Sequence, residues 1–279
     1  MKVKGWVEVA VRSPSGAKES YVLGNNVTSD LTQWLVGRVR GDSYPDTGVP
    51  NSIYVVTSAG VVGDSTEFYS RGVSVAADKE SVTAYFTVID MQFAVNQLST
   101  ITQVGIYGAN FYTLAETSYV NPNPQFVAAD KVDITYNIQF TFDSNIEATW
   151  VSRLVKSMVG LVDVAGSYVA DNSRSCEINY ARASYWPDAE TQSFVSNSAF
   201  SMMGVGDIAI AQTGGDEGIV FDDVNSSVRP TEIHLYTKET DGDLVGVGNN
   251  DLSYGSGLTS WVTGDNLNVP YKFSITPGS

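Results

Sequence analysis

Two stretches of this chain read as copies of one another. Ile101-Thr102-Gln103-Val104-Gly105-Ile106-Tyr107 reappears, degraded, as Pro230-Thr231-Glu232-Ile233-His234-Leu235-Tyr236. Downstream, Val132, Ile134, Tyr136, Ile138 and Phe140 align with Leu267, Val269, Tyr271, Phe273 and Ile275. An apolar residue at every second position puts one strand face in a core and the other toward water, so both copies end on a half-buried strand. The offset between copies drifts from 231 − 102 = 129 to 269 − 134 = 135, as small loop insertions in the second copy would produce. A chain written twice has to satisfy one folding pattern twice.

The beginnings of the copies also match. Leu31, Trp34, Leu35, Val36 and Val39 recur at helical spacing before Gly41, as Trp150, Val151, Leu154, Val155, Met158 and Val159 do before Gly160. Each copy is therefore expected to carry one short amphipathic helix stopped by glycine. Ser144 and Glu147 have the spacing of a capping box for the second helix.

These features predict a mainly β fold of two tandem, related antiparallel β-sandwich modules, residues 1–142 and 143–279, each with one short α-helix. Strands are expected at Val3 to Arg12 and Ala17 to Leu23, turning at Ser13-Pro14-Ser15-Gly16, then at Ser52 to Ser58, Glu67 to Ala76, Ser81 to Ile89, Ile101 to Tyr107, Tyr112 to Tyr119 and Val132 to Phe142. In the second module they fall near Glu177 to Ser184, Phe194 to Ser201, Asp207 to Ala211, Thr231 to Thr237, Leu244 to Val247 and Leu267 to Ile275. Asn121-Pro122-Asn123-Pro124 reads as a loop, because proline lacks the ladder donor that a central strand needs.

Composition agrees with strands and turns. Charged residues make up only 17% of the 279 residues against 43% apolar, enough to build real cores. The formal charge of −15 repels a phosphate backbone, and no Lys/Arg stripe offsets it, so nucleic acid is not an expected partner. No apolar run is long enough to span a bilayer, and the opening Met1-Lys2-Val3-Lys4-Gly5-Trp6-Val7-Glu8 alternates like a strand, which points to synthesis in the cytoplasm without membrane insertion. Cys176 is the single cysteine, so stability rests on burial and strand pairing.

Residues able to do chemistry are sparse. His234, the only histidine, occupies the position of Gly105 in the other copy, inside a strand, with no triad partners announced. Cys176 stands among Ser173, Arg174, Ser175 and Glu177, without a neighbouring histidine to lower its pKa. One Cys and one His cannot form a zinc site. Asp241-Gly242-Asp243, Asp216-Glu217 and Asp222-Asp223 offer hard oxygen ligands but match no complete calcium loop. No nucleotide-binding glycine pattern or nucleophile elbow is present. The expectation is a protein without enzyme activity, cofactor or metal. Trp34 and Trp150 lie on helical faces and read as core, whereas Trp186, beside Pro187, and Trp261 read as surface aromatics. With the acidic, glycine-rich loops carrying Asp216, Glu217, Asp222 and Asp223, they are the candidate interaction residues.

The order of a strand hairpin, Asn25-Asn26-Val27-Thr28, a short helix ending at glycine, Ile101-Thr102-Gln103-Val104-Gly105-Ile106-Tyr107 and then Asp130-Lys131-Val132-Asp133-Ile134-Thr135-Tyr136-Asn137-Ile138-Gln139-Phe140 resembles virion structural proteins of tailed bacteriophages and archaeal tailed viruses. It is also similar to the N-terminal part of tail-collar fibre proteins. The resemblance covers residues 5–142 best and is weaker over 143–279, where Ile233-His234-Leu235 departs from the pattern. It implies a non-enzymatic structural component of the virion, joining neighbouring subunits at the tail, collar or fibre-attachment region. Its implied partners are other virion structural proteins and further copies of itself, through symmetric contacts. A capsid decoration or cement protein on the head is the alternative within the virion. A carbohydrate-binding adhesin using Trp186 and Trp261 is the alternative outside that role.

Overall fold

A computed structural model describes residues 1–40, 49–66, 68–108, 113–117, 123–160, 176, 178, 180–186, 191–196, 201–202, 208–212, 219–220, 229–237, 244–248, 266–267 and 270–277. The chain is mainly β, built around a curled antiparallel sheet with two short helices among the described residues. Its first part runs β1 (Lys2–Arg12), β2 (Lys18–Val27), α1 (Ser29–Arg40), β3 (Ser52–Thr57), β4 (Val62–Ser65), β5 (Ser70–Val75), β6 (Ser81–Met91), β7 (Ser99–Tyr107), β8 (Thr113–Glu116), β9 (Gln125–Phe126) and β10 (Lys131–Thr141). Then come α2 (Ala148–Val159), β11 (Tyr180–Trp186), β12 (Thr191–Ser196), β13 (Ser201–Met202), β14 (Ile208–Gln212), β15 (Ile219–Val220), β16 (Arg229–Tyr236), β17 (Leu244–Gly248), β18 (Asn266–Leu267), β19 (Pro270–Ser274) and β20 (Thr276–Pro277).

The main sheet has the order β4-β3-β7-β8-β2-β1-β10-β6-β5, with β20 joining β1 in parallel and β9 joining β7. β1 and β10 pair along their whole length, from Lys2 opposite Thr141 to Arg12 opposite Lys131. That register follows from two matching alternations: Val3, Val7, Val9 and Val11 face inward beside Phe140, Tyr136, Ile134 and Val132, and all eight are buried. A slip of one residue would turn both apolar rows toward water.

The curl originates in β2. This strand pairs with β1 as far as Asn25 opposite Gly5, then with β8 from Asn26 opposite Glu116, so it belongs to both parts of the sheet. Gly5 permits the corner, because a Cβ there would lie 2.2 Å from Asn25 Oδ1. Register shifts at Val132/Ile134, Ile106/Tyr107 and Val56/Thr57 add bends of the kind that bulges introduce.

Both helices pack on the sheet. Trp34, Leu35, Val36 and Val39 of α1 and Trp150, Val151, Leu154, Val155, Met158 and Val159 of α2 are buried in one core with the inward strand residues. α2 lies against β5 and β6, and α1 against β8. Burying side chains of this size contributes ~1.5–3 kcal/mol each, which makes these two faces major anchors of the fold. Trp150 also donates its indole N–H to the Cys176 carbonyl at 3.2 Å, while Arg38 stacks over the Trp34 ring at 4.9 Å. α2 ends where glycine spacing predicted: Gly160 adopts φ 68° and its N–H caps the last turn.

The expected capping box is not formed. Glu147 itself holds the N-cap position with no side-chain cap bond, and the helix begins only at Ala148. The preceding residue is committed elsewhere, since Ile146 forms an isolated antiparallel bridge with Gly246 of β17.

Two blocks of the pairing order recur in the second part of the chain, although the β1–β2 hairpin that joins them in the first part has no described counterpart there and the β15–β18 pair has none in the first part. β12-β11-β16-β17 has the connectivity of β4-β3-β7-β8, a hairpin partner on one side of the pair and a following strand on the other. β13-β14-β19 corresponds in the same way to β5-β6-β10. The Ile146–Gly246 bridge just before α2 occupies the place of the Val27–Ala115 pair shortly before α1. Four described strands escaped the alternation pattern, β4, β9, β15 and β20, of which the last three have only two residues each. β4 (Val62-Gly63-Asp64-Ser65) and β9 are short, and β4 contains a glycine, so each is held by the neighbour it pairs with rather than by its own periodicity.

Candidate interaction surface

The outward face of β2-β1-β10-β6-β5 is the first candidate among the described residues. Alternation leaves Lys2, Lys4, Trp6, Glu8 and Ala10 of β1 facing away from the core, with Ser20, Val22 and Gly24 opposite them on β2. On the other side stand Thr135, Asn137 and Gln139 of β10, then Thr83, Tyr85 and Thr87 of β6. One cross-strand row reads Gly24, Trp6, Asn137, Tyr85, Gly72, so the two aromatics flank an amide at two strand spacings, about 9.5 Å apart at the backbone. Trp6 donates its indole N–H to Glu8 Oε1 at 3.1 Å, and Asn137 donates Nδ2 to the same oxygen at 3.3 Å. Tyr85 leans over β5, its hydroxyl above Gly72. Val22 remains 71% exposed beside Glu8. The face is broad and decorated with side chains that can stack and hydrogen-bond, which suits contact with another surface more than enclosure of a substrate.

A second cluster sits on β3, β7 and β8. Tyr54 and Tyr107 stack with ring centroids 4.2 Å apart and an interplanar angle of 16°. Tyr54 donates its hydroxyl to Glu116 Oε2 at 2.9 Å, and Gln103 Nε2 donates to the same oxygen at 2.6 Å. Burial first, and then the bond to the Glu116 carboxylate, hold the Tyr54 phenol well above its usual range. Burial likewise pushes up the phenol of Tyr136 in the neighbouring core. Both phenols stay neutral at physiological pH, and Tyr54 serves as a hydrogen-bond donor to Glu116, not as a base.

A third cluster is ionic. Arg12 reaches Asp133 through Nε at 2.8 Å and Nη2 at 2.7 Å, and its Nη2 also contacts Asp90. Lys131 lies 3.3 Å from Asp90, and the Asp90 backbone N–H donates to Asp133 Oδ1. Hydrogen bonding from Arg12 first, and from Lys131 second, holds the Asp90 carboxyl below its usual range. Asp90 has φ 60° and the β10 bulge lies at Val132/Ile134, so the cluster clamps an irregular corner of the sheet.

The residues singled out from sequence are not assembled into a site by the described part of the structure. Trp186 ends β11 opposite Arg229, and its side chain is outside the described residues. Trp261, Asp216, Glu217, Asp222 and Asp223 lie wholly outside the described residues, as does Asp241-Gly242-Asp243. His234 is a strand residue of β16, paired with Arg182 and Val247, its ring 6.4 Å from that of Tyr236. Cys176 is buried at 2% exposure. Among the described residues no three His, Cys, Asp or Glu side chains converge as a metal site. None of the described helices is long and apolar enough to cross a membrane. Sequence reading passed over Trp6 and Tyr85 as sites. Their signal was available in the alternation of β1 and β6, which puts both aromatics on the even and odd positions opposite the buried ones.

No protein-family model matches this chain, and no curated protein matches it.

Proposed function

We propose that this chain is a non-enzymatic structural component of a tailed-virus particle, joining neighbouring subunits at the tail, collar or fibre-attachment region. It would be made in the host cytoplasm and work in the virion. The observation that carries this reading is the recurrence of one pairing order, β4-β3-β7-β8 with β5-β6-β10, as β12-β11-β16-β17 with β13-β14-β19. It supports two tandem related β-sandwich modules, 1–142 and 143–279, and a tandem scaffold presents neighbours with more than one contact face. Such contacts add through avidity, and symmetry multiplies them. The segments that carry the resemblance, residues 101–107 and 130–140, form the inner strands β7 and β10 of the curled sheet, so they support a shared scaffold and not a shared reaction.

Mass spectrometry of purified particles tests the reading, and absence of the chain from intact virions removes it. Copy number then separates the tail from a capsid decoration or cement role on the head: three-, six- or twelvefold rings against capsid symmetry. A second reading, a carbohydrate-binding adhesin, is favoured by Trp6 and Tyr85 flanking Asn137 on an open sheet face. Glycan-array binding that disappears in Trp6→Ala, with particles unaffected in composition, would establish it instead.

A further inference from the structure

Charge is distributed unevenly along this chain. Residues 1–142 hold 9 Lys and Arg against 13 Asp and Glu, a net −4, whereas residues 143–279 hold 7 against 18, a net −11. Four of the nine cations in the first part, Lys2, Lys4, Arg12 and Lys18, lie on β1 and β2. All four belong to the outward face described above, where Lys2, Lys4 and Lys18 are exposed. Arg12 is held by Asp133 and Asp90, and Glu8 is bonded by Trp6 and Asn137. What this face offers an approaching surface is lysine ammonium groups around Trp6, Val22 and Tyr85, with the exposed Glu8 carboxylate among them, on a molecule that is otherwise strongly acidic. An aromatic centre with a charged rim is the composition of a protein–protein interface.

We propose that the outward face of β2-β1-β10-β6-β5 docks the acidic second half, residues 143–279, of another copy of this chain, head to tail. Charge complementarity selects the occupant: a face bearing free lysines meets a half with net charge −11. The contact is heterologous, because different patches meet, so repetition generates a ring where the rotation closes and a filament where it does not. Trp6 and Tyr85 stack against the partner, and Lys2, Lys4 and Lys18 set its orientation through charge-assisted hydrogen bonds. This deepens the subunit-joining reading above and rests on it for a biological role. Self-association of the purified chain is measured without particles, so the two readings fail separately.

The test is sedimentation velocity of the purified full chain over a concentration series, at about 0.05 M and about 0.5 M NaCl, where the screening length shortens about threefold. The expected result is association at low salt that weakens by about tenfold or more at high salt. Lys4→Glu/Lys18→Glu, on exposed positions of the face, should weaken it by about tenfold or more without changing the melting temperature, and Trp6→Ala should weaken it at both salts. Should Trp6→Ala not fold, the lysine pair decides. Carbodiimide cross-linking at low salt of a mixture of isotope-labelled and unlabelled chain should join Lys4 or Lys18 of one copy to carboxylates within 147–279 of the other, since Lys2 already lies beside Asp143 of its own chain. A monomer at low salt up to about 100 μM overturns the proposal, because a contact that weak could not hold even with charge steering. Association indifferent to salt and to the lysine reversal, or cross-links confined to acids of residues 1–142, overturns it as well. A monomer retained on an anionic polysaccharide column would overturn it in favour of an acidic glycan.

Discussion

The Tyr54 ring lies directly across Gly105 on the adjacent strand: a Cβ built on Gly105 would sit 2.2 Å from Tyr54 Cε1. The absence of a side chain at one position thereby sets the orientation of an aromatic at another, and with it the stack on Tyr107 and the hydrogen bond to Glu116. In the second half His234 takes the place of Gly105 and faces Arg182, so this close approach is not repeated there.

Gly105→Ala should therefore destabilise the protein by about 1–3 kcal/mol through overpacking, because the Tyr54 ring that the new Cβ would meet is buried, stacked on Tyr107 and bonded to Glu116, and it cannot swing aside without losing those contacts. Thermal unfolding checks it. The expected fall is about 2–4 °C for each kcal/mol, and an unchanged midpoint would show that Tyr54 can rotate away without loss.

Tyr54→Phe should cost about 1.5–3 kcal/mol near neutral pH, the contribution of a hydrogen bond to a charged acceptor. The sign of its pH dependence follows from the raised phenol pKa. Wild-type stability from this group is fully present below the unfolded value of about 10 and is lost as pH rises above it, because the unfolded chain gives up its proton first. The stability gap between wild type and Tyr54→Phe should accordingly narrow above about pH 10. Denaturant midpoints at neutral and alkaline pH measure this, and a gap that widens with pH would contradict it.

The corner held by Arg12 responds to acid instead. Asp90 has a lowered pKa through its bonds from Arg12 and Lys131, so its contribution is present above the unfolded carboxylate value of about 4 and disappears as pH falls through the folded value. Arg12→Met should lower stability modestly at neutral pH, and the difference from wild type should close in acid and shrink in high salt. Melting curves at several pH values and salt concentrations decide the matter.

Gly160→Ala addresses the helix stop. At φ 68° an added Cβ strains the backbone, and the expected loss is about 1 kcal/mol. A Cβ added to Gly160 would come no closer than 3.8 Å to Arg71 Nη1 and 4.0 Å to Val49 Cγ1, so the loss arises from conformation and not from crowding. Asn, which tolerates the left-handed region better, should recover part of it.

The outward face of the sheet was only half legible from sequence. Alternation in β1, β6 and β10 assigns Trp6, Tyr85 and Asn137 each to the solvent side of its own strand. That they share one row depends on two registers, between residues about 50 and about 130 positions apart, which local patterning does not encode. The acidic loops and Trp261, chosen for their composition, fall outside the described residues.

From the sequence alone came the long strands of the curled sheet, both helices, the glycine stop after α2 and the repeated segments, because periods of 2.0 and 3.6 residues report which side of each element meets water. Tertiary structure decided what those elements do together. β2 crosses from β1 to β8 at Asn25 and Asn26, which curls the sheet. α2 closes over β5 and β6, and β20 returns to β1, so the chain's last strand completes the sheet its first strand began. These are long-range pairings, selected by burial and by the hydrogen-bonding demand of strand edges, and each becomes favourable only when both partners are already in place.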